Sequence, residues 1–250
     1  MKDNFKTYSK YYNLLYGDKN YSEETEYVCA LIKKYNPGIK SILEFGSGTG
    51  IHGRLLTAKG FEVLGLERSE GMVEEATRNG FPCEVADISN FHLDKTFDGI
   101  VSLFHVISYL TDNNSLLSTF KNANMHLNKG GLFIFDVWYS PAVYEQKAVA
   151  RIKRMENGQM KAIRFAEPHN HVNRNVIDVK FTVFIKDLES GQEQEIEELH
   201  PMRHFSIPEI DLLAETTGFK VITAEEFITH KQPSQSTWGV CFVLEKKKDL

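Results

Sequence analysis

Cysteine is scarce. Cys29, Cys83 and Cys241 are the whole complement, odd in number and far apart, which argues against a disulfide framework and against a cysteine-built zinc site. A reducing cytoplasm is the expected setting. Long apolar runs are missing too. The most apolar stretch, residues 99–110, is interrupted by Ser102, His105 and Ser108 and is too short and too polar to span a bilayer. Residues 1–13, MKDNFKTYSKYYN, have no apolar centre, so no secretory signal is expected there. Positive charge is not in excess: 29 Lys and Arg stand against 34 Asp and Glu, a formal net charge of −5. Broad nucleic-acid binding is therefore not expected as the main activity. Repeats and low-complexity tracts are absent. His169-x-His171 and the His200/His204 pair have no carboxylate at a matching spacing, and Pro201 breaks any helix between the latter two, so no metal site is expected.

What is present is ordinary globular composition, 42% hydrophobic and 25% charged. Disorder, collagen and coiled coil are excluded on those values. The 250 residues suffice for a full core and correspond to one large or two small domains.

Up to about residue 137 the periodicity alternates. Ser22 is placed to cap a helix carrying Val28, Leu31, Ile32 and Tyr35, stopped by Pro37-Gly38. Strands are predicted over 41–45, 61–66, 82–86, 97–104 and 132–137. Helices lie between them: one around Ile51, Leu55 and Ala58, one capped by Ser69 and closed by Gly80, and one over 112–127. This alternation predicts βαβ crossovers and a parallel sheet, whose ligands bind at the carboxyl ends of the strands. Residues 148–200 instead alternate with period two, and Asn157-Gly158 and Ser190-Gly191 read as hairpin turns. A helix over 206–217 and strands over 219–227 and 238–244 follow. Lys246-Lys247-Lys248 reads as a solvated end. The whole, residues 1–250, is expected to be one domain, an α/β fold with an inserted antiparallel β flap over 140–200.

The informative stretch is Ile42-Leu43-Glu44-Phe45-Gly46-Ser47-Gly48-Thr49-Gly50. A strand ends in an acidic residue, and glycines at every second position open a helix, letting a ligand approach the main chain. Glu67, at the end of the next strand, is suited to accept both hydroxyls of a ribose. Asp87, at the end of the third, is suited to accept from an adenine amino group. Gly48-x-Gly50-x-x-Gly53 also fits the dinucleotide pattern. However, the glycine that follows the strand is Gly46, and from there the spelling is GxGxG.

Glu44 to Gly50, Glu67, Ala86-Asp87-Ile88 and Leu127-x-x-Gly130-Gly131 together resemble the motif set of class I S-adenosylmethionine-dependent methyltransferases. The resemblance implies a Rossmann-like, seven-stranded, mostly parallel sheet with a closing antiparallel hairpin. A narrower likeness runs through Tyr12-Asn13-Leu14-Leu15-Tyr16, Tyr21, residues 104–110, Asp136-Val137-Trp138 and residues 179–183. These are similar to the N,N-dimethyltransferases of nucleotide-linked deoxyaminosugars, with Asn13 where that family usually has aspartate and a shorter link between Tyr16 and Tyr21.

By resemblance, S-adenosylmethionine is the cofactor, held by Tyr16, Tyr21, Glu44, Gly46, Gly48, Glu67, Arg68, Met72, Asp87, Ile88, Phe104 and His105. Tyr16 is also placed near the transferring methyl, although Tyr8, Tyr12 and Tyr16 recur every fourth residue and equally fit one packed helix stripe. His126 resembles a histidine near the amino sugar, where it would orient the amine or accept its proton. The competing reading is a histidine placed to suit a helix C-terminus. Trp138, Tyr139 and Arg203 are the expected substrate contacts, the two aromatics alternatively packing in the core or flap and Arg203 through a phosphate or, alternatively, in a surface salt bridge; Arg164, Lys180 and Arg174 fit a phosphate equally. A homodimer is implied by resemblance only. Two other functions fit the same residues: an O-methyltransferase acting on another small molecule, and a non-catalytic nucleoside-binding module.

Overall fold

A computed structural model describes residues 19–250. The first helix, α1 (Tyr21–Tyr35), begins earlier than Ser22 because Asn20 supplies the cap, its side chain accepting from the Glu23 N–H. Glu23 and Glu24 in its first turn and Lys33 and Lys34 in its last complement the helix dipole. Strand β1 (Ser41–Phe45), helix α2 (Ile51–Ala58), strand β2 (Glu62–Glu67), helix α3 (Glu70–Arg78), strand β3 (Cys83–Val85) and strand β4 (Phe97–Ser102) follow. A single 3₁₀ turn (Val106–Tyr109) leads to helix α4 (Asn113–His126), which Asp112 caps by accepting from the Ser115 N–H. Strand β5 (Leu127–Tyr139) then crosses the molecule.

Strands β3, β2, β1, β4 and β5 pair in parallel in that order. The last two strands, β10 (Phe219–Glu226) and β11 (Gly239–Lys246), close the sheet: β11 lies antiparallel to β5, and β10 antiparallel to β11. Seven strands thus form the central sheet. The inner strands read as continuous apolar runs because helices cover both faces. Phe45, Phe133, Phe135 and Phe242 pack on one face with Phe120 of α4. Leu56, Phe81, Ile134 and Val243 pack on the other with Val28 and Leu31 of α1.

Between β5 and the closing strands lie helix α5 (Ser140–Gln146) and four antiparallel strands: β6 (Arg151–Glu156), β7 (Met160–His171), β8 (Val176–Asp187) and β9 (Glu193–Phe205). Helix α6 (Ile207–Thr216) returns the chain to β10. These strands are joined to the central sheet at one edge, where Trp138 and Tyr139 pair with His204 and Phe205. The inner face of the flap, Ala162, Val183, Ile185 and Ile196, packs on Met72 in the first turn of α3. The flap therefore starts at the carboxyl end of β5 and reaches back over the carboxyl ends of the parallel strands. Lys246 is not solvated as expected: it is 5% exposed, and its Nζ donates to the carbonyls of Asn124 and Leu127 at the C-terminal end of α4. A cation there suits the helix dipole.

Candidate active site

The glycine loop turns on three left-handed residues, Gly46, Gly48 and Gly50, with φ of 66°, 56° and 75°. A Cβ at Gly46 would strike Val106 at 2.6 Å and one at Gly50 would strike Phe81 at 2.5 Å. At Gly48 it would meet only the Met72 Sδ, at 3.9 Å. The loop is thus locked by packing at both ends and open to a ligand in its middle. Gly53, which completes the dinucleotide-like pattern, is needed for another reason: a Cβ there would clash with the Phe81 ring and lie 2.6 Å from a Glu44 carboxylate oxygen.

Glu67 closes the loop from the side. One carboxylate oxygen accepts the Gly48 N–H at 3.0 Å and the other the Ser69 N–H at 2.8 Å. Burial pushes this carboxyl up, and the backbone donors work against that. Each oxygen keeps a further acceptor site, enough for two vicinal hydroxyls. Glu44 is buried beneath the start of α2. Burial, and then the nearby charge of Glu67, raise its pKa to about 8. Asp87 follows β3 on the surface; one oxygen accepts from the backbone and hydroxyl of Ser89, and the other is left for a ligand. Ile88 is 9% exposed behind it, in the apolar cluster with Phe45. Arg68 is exposed beside Glu67.

Across the cleft, β4 runs into two successive non-glycine residues in left-handed conformation, Phe104 (φ 67°) and His105 (φ 61°). The Phe104 ring carries the Lys19 ammonium 4.4 Å from its centroid, and that ammonium lies equally close to the Tyr21 ring. Lys19 also pairs with Glu24, whose carboxylate lies 2.7 Å from the His52 Nε2. Tyr21 meets the His52 ring edge-on. The carboxyl ends of the parallel strands are therefore ringed by Gly48, Glu67, Asp87, Phe104 and His105, with Lys19 and Tyr21 closing one side.

A methyltransferase domain model matches residues 20–224 of the chain. The chain belongs to the S-adenosylmethionine-dependent methyltransferase family. The methyltransferase is 28% identical over 177 residues to the dTDP-3-amino-3,4,6-trideoxy-alpha-D-glucopyranose N,N-dimethyltransferase of Streptomyces venezuelae, covering 69% of this chain and 74% of that one. Among solved structures, a sugar N-methyltransferase from Streptoalloteichus superposes with a TM-score of 0.81 at 23% identity, over 95% of this chain and 93% of that one. An amino pentose methyltransferase from Micromonospora echinaspora, solved with S-adenosylmethionine bound, gives 0.75 at 20% identity over 92% of each chain. At these identities the structures share the fold.

Several expected site residues of the methyltransferase lie elsewhere. Tyr16 is outside the described residues. His126 sits where α4 passes into β5, at the amino edge of the sheet and so opposite the cleft. Its Nδ1 donates to the Asn122 carbonyl at 2.8 Å and its Nε2 accepts the Leu93 N–H at 3.0 Å. Burial lowers its pKa, and it serves as a neutral brace between α4 and the segment before β4, which corrects its expected catalytic role. Arg203 donates to Asn113 at 2.8 Å and to Glu209 at 2.6 Å, tying β9 to α4 and α6 as the salt-bridge reading expects. Tyr139 packs into the core cluster with Phe205, because strand alternation sends it to the face opposite Trp138. Trp138 does reach the cleft and meets His105 edge-on.

One residue without an assigned role in the sequence reading is Asp136. It is fully buried; one oxygen lies 2.6 Å from the His105 Nδ1, and the other accepts the His105 N–H at 3.2 Å. Burial pushes its carboxyl up, but His105 and then Lys19 bring it below the usual carboxylate range. A carboxylate inside the apolar run LFIFDVW was the available signal, since a buried charge requires a partner.

Proposed function

We propose that this enzyme transfers a methyl group from S-adenosylmethionine to the amino group of a nucleotide-linked deoxyaminosugar. The observation that carries the reading is the packing of the flap on Met72, beside the open middle of the glycine loop. It roofs the donor site and leaves an acceptor space bordered by His105 and Trp138. The residues present fit the cofactor: Glu67 retains acceptor sites for the ribose hydroxyls, Asp87 an oxygen for the adenine amino group, and Gly48 an open backbone. When bound, S-adenosylmethionine supplies an electrophilic methyl on a sulfonium, a good leaving group. The protein's tasks are then to align the acceptor, exclude water and keep the amine neutral. Met72 and the flap face perform the exclusion. The acceptor class is supported by the dTDP-aminosugar relative. Of the flap cations, Arg164 lies on the inner face, its guanidinium 4.7 Å from the centroid of the Phe181 ring. The outer face of the flap exposes Ile152, Ile163 and Phe184, and we assign it to a homodimer, which a monomer in sedimentation would refute.

Two experiments test the reading. Glu67→Ala is expected to abolish S-adenosylmethionine binding by calorimetry; unchanged affinity would overturn the donor site. A panel of dTDP-aminosugars set against hydroxyl and carboxyl acceptors is expected to yield S-adenosylhomocysteine only with the amines. Turnover restricted to a hydroxyl acceptor would move the assignment to O-methylation.

A further inference from the structure

We infer that His105, held by Asp136, is the catalytic base that takes the proton of the acceptor ammonium; this rests on the methyl-transfer reading of the cleft. Three independent observations carry it. First, Phe104 and His105 both adopt the left-handed conformation, which is strained for a non-glycine residue and persists where the surrounding structure enforces it. The consequence is to turn the imidazole back onto β5. Second, Asp136 is a wholly buried carboxylate in the middle of the sheet that contacts both the ring and the backbone of His105. Its oxygen and Nδ1 are 2.6 Å apart but not aligned as a linear hydrogen bond; the alignment of such contacts improves when ligands bind. Third, the His105 side chain is 24% exposed, next to Trp138, and its Nε2 bonds to no described residue.

An anionic carboxylate at Nδ1 favours the tautomer with the proton on Nδ1 and the lone pair on Nε2. The base is therefore presented to the acceptor space. In the proposed step the N–H bond of the acceptor ammonium breaks, its electron pair stays on nitrogen, and an Nε2–H bond forms. The imidazolium is stabilised by Asp136 and later loses its proton to solvent. The neutral amine is then competent to attack. Among the described residues, few charged or titratable groups surround the pair. Lys19, ahead of α1, acts on Asp136 and is itself neutralised by Glu24, which also holds His52. Cys241 of β11 lies on the other side, its thiol pushed well up by burial and, less strongly, by Asp136. Asp136 is a positioning residue, and none of the others takes its place beside the ring.

Three measurements test the assignment. Nitrogen-15 NMR of the ring is expected to find the Nδ1–H tautomer in the wild type and its loss in Asp136→Asn. Calorimetry is expected to find S-adenosylmethionine still bound by His105→Gln, with affinity reduced far less than in Glu67→Ala. With a dTDP-aminosugar, kcat of His105→Gln is expected to fall about 10²-fold, with the acidic limb of kcat/KM moved to higher pH. An active wild type with unchanged kcat and pH profile in His105→Gln would overturn the base, and so would lost cofactor affinity in that variant. If the wild type turns over no aminosugar, the acceptor reading falls, and the ring measurement still decides the dyad: Nε2–H in the wild type overturns it.

Discussion

Glu44 and His204 give the protein opposite slopes of stability with pH. The folded pKa of Glu44 is raised from 4.5 to about 8, so the native state holds the proton more tightly than the unfolded chain. Its contribution is complete below pH 4.5 and is lost as pH rises toward 8. For His204 burial, and then Arg203, lower the pKa from 6.5 to about 4; its contribution is present above 6.5 and is lost as pH falls toward 4. Above pH 6.5 the Glu44 slope is unopposed by His204. Glu44→Gln is expected to make the decline of unfolding free energy between pH 6.5 and 8 shallower, read by urea titration; an unchanged slope would contradict the buried neutral carboxyl. His126→Ala is expected to cost about 1–3 kcal/mol, because the Leu93 N–H loses its acceptor, while kcat of the folded variant stays at the wild-type value. A loss of turnover beyond that of stability would restore its catalytic role. Acidic residues at strand ends were legible because they follow glycine and strand signals. The failures at His126, Tyr139 and Arg203 share one cause: spacing places a residue on an element but not at which end or on which face of the sheet it points.

At the scale of elements, the sequence was legible wherever a cap or glycine marks a boundary. The helix after Asp112 and the turns at Asn157-Gly158 and Ser190-Gly191 are local chemistry. Asn20 displaced Ser22 as a cap because either fits a first turn, and it is the Asn20 side chain that accepts from the Glu23 N–H. The fate of Lys246 was not legible, because its acceptors, Asn124 and Leu127, are far away in sequence. Lys246→Met removes both charge-assisted hydrogen bonds and is expected to destabilise the closing strand by about 1–3 kcal/mol in urea titration. No change would mean that water satisfies those carbonyls equally well. Phe81 has a similar hidden role. Its ring fills the space that Cβ atoms at Gly50, Gly53 and Gly65 would take, so it fixes the cofactor loop from beneath. Phe81→Ala is expected to cost about 3–5 kcal/mol and to weaken S-adenosylmethionine binding with it. Intact affinity in the folded variant would show that the loop holds its shape without the ring.

For the whole molecule, the alternation of strands and helices specified the parallel sheet, and the change to period two specified the flap. What one-dimensional pattern could not carry was the joint between them. The pairing of Trp138 and Tyr139 with His204 and Phe205 makes the flap a continuation of the central sheet, and Met72 ties its far side to α3. Glycine loop, central sheet and the flap that would roof the proposed acceptor space are thus one connected structure. The net charge of −5 is unfavourable to any anionic substrate at long range, so the proposed nucleotide-linked acceptor would have to be held by local cations. The central claim is the chemistry under that roof. Its most direct test is mass spectrometry of a dTDP-aminosugar incubated with the enzyme and S-adenosylmethionine. Added methyl groups on the sugar nitrogen are expected, matched by S-adenosylhomocysteine. An unmodified sugar nitrogen across 3-amino and 4-amino dTDP-sugars, with the cofactor bound, would contradict it.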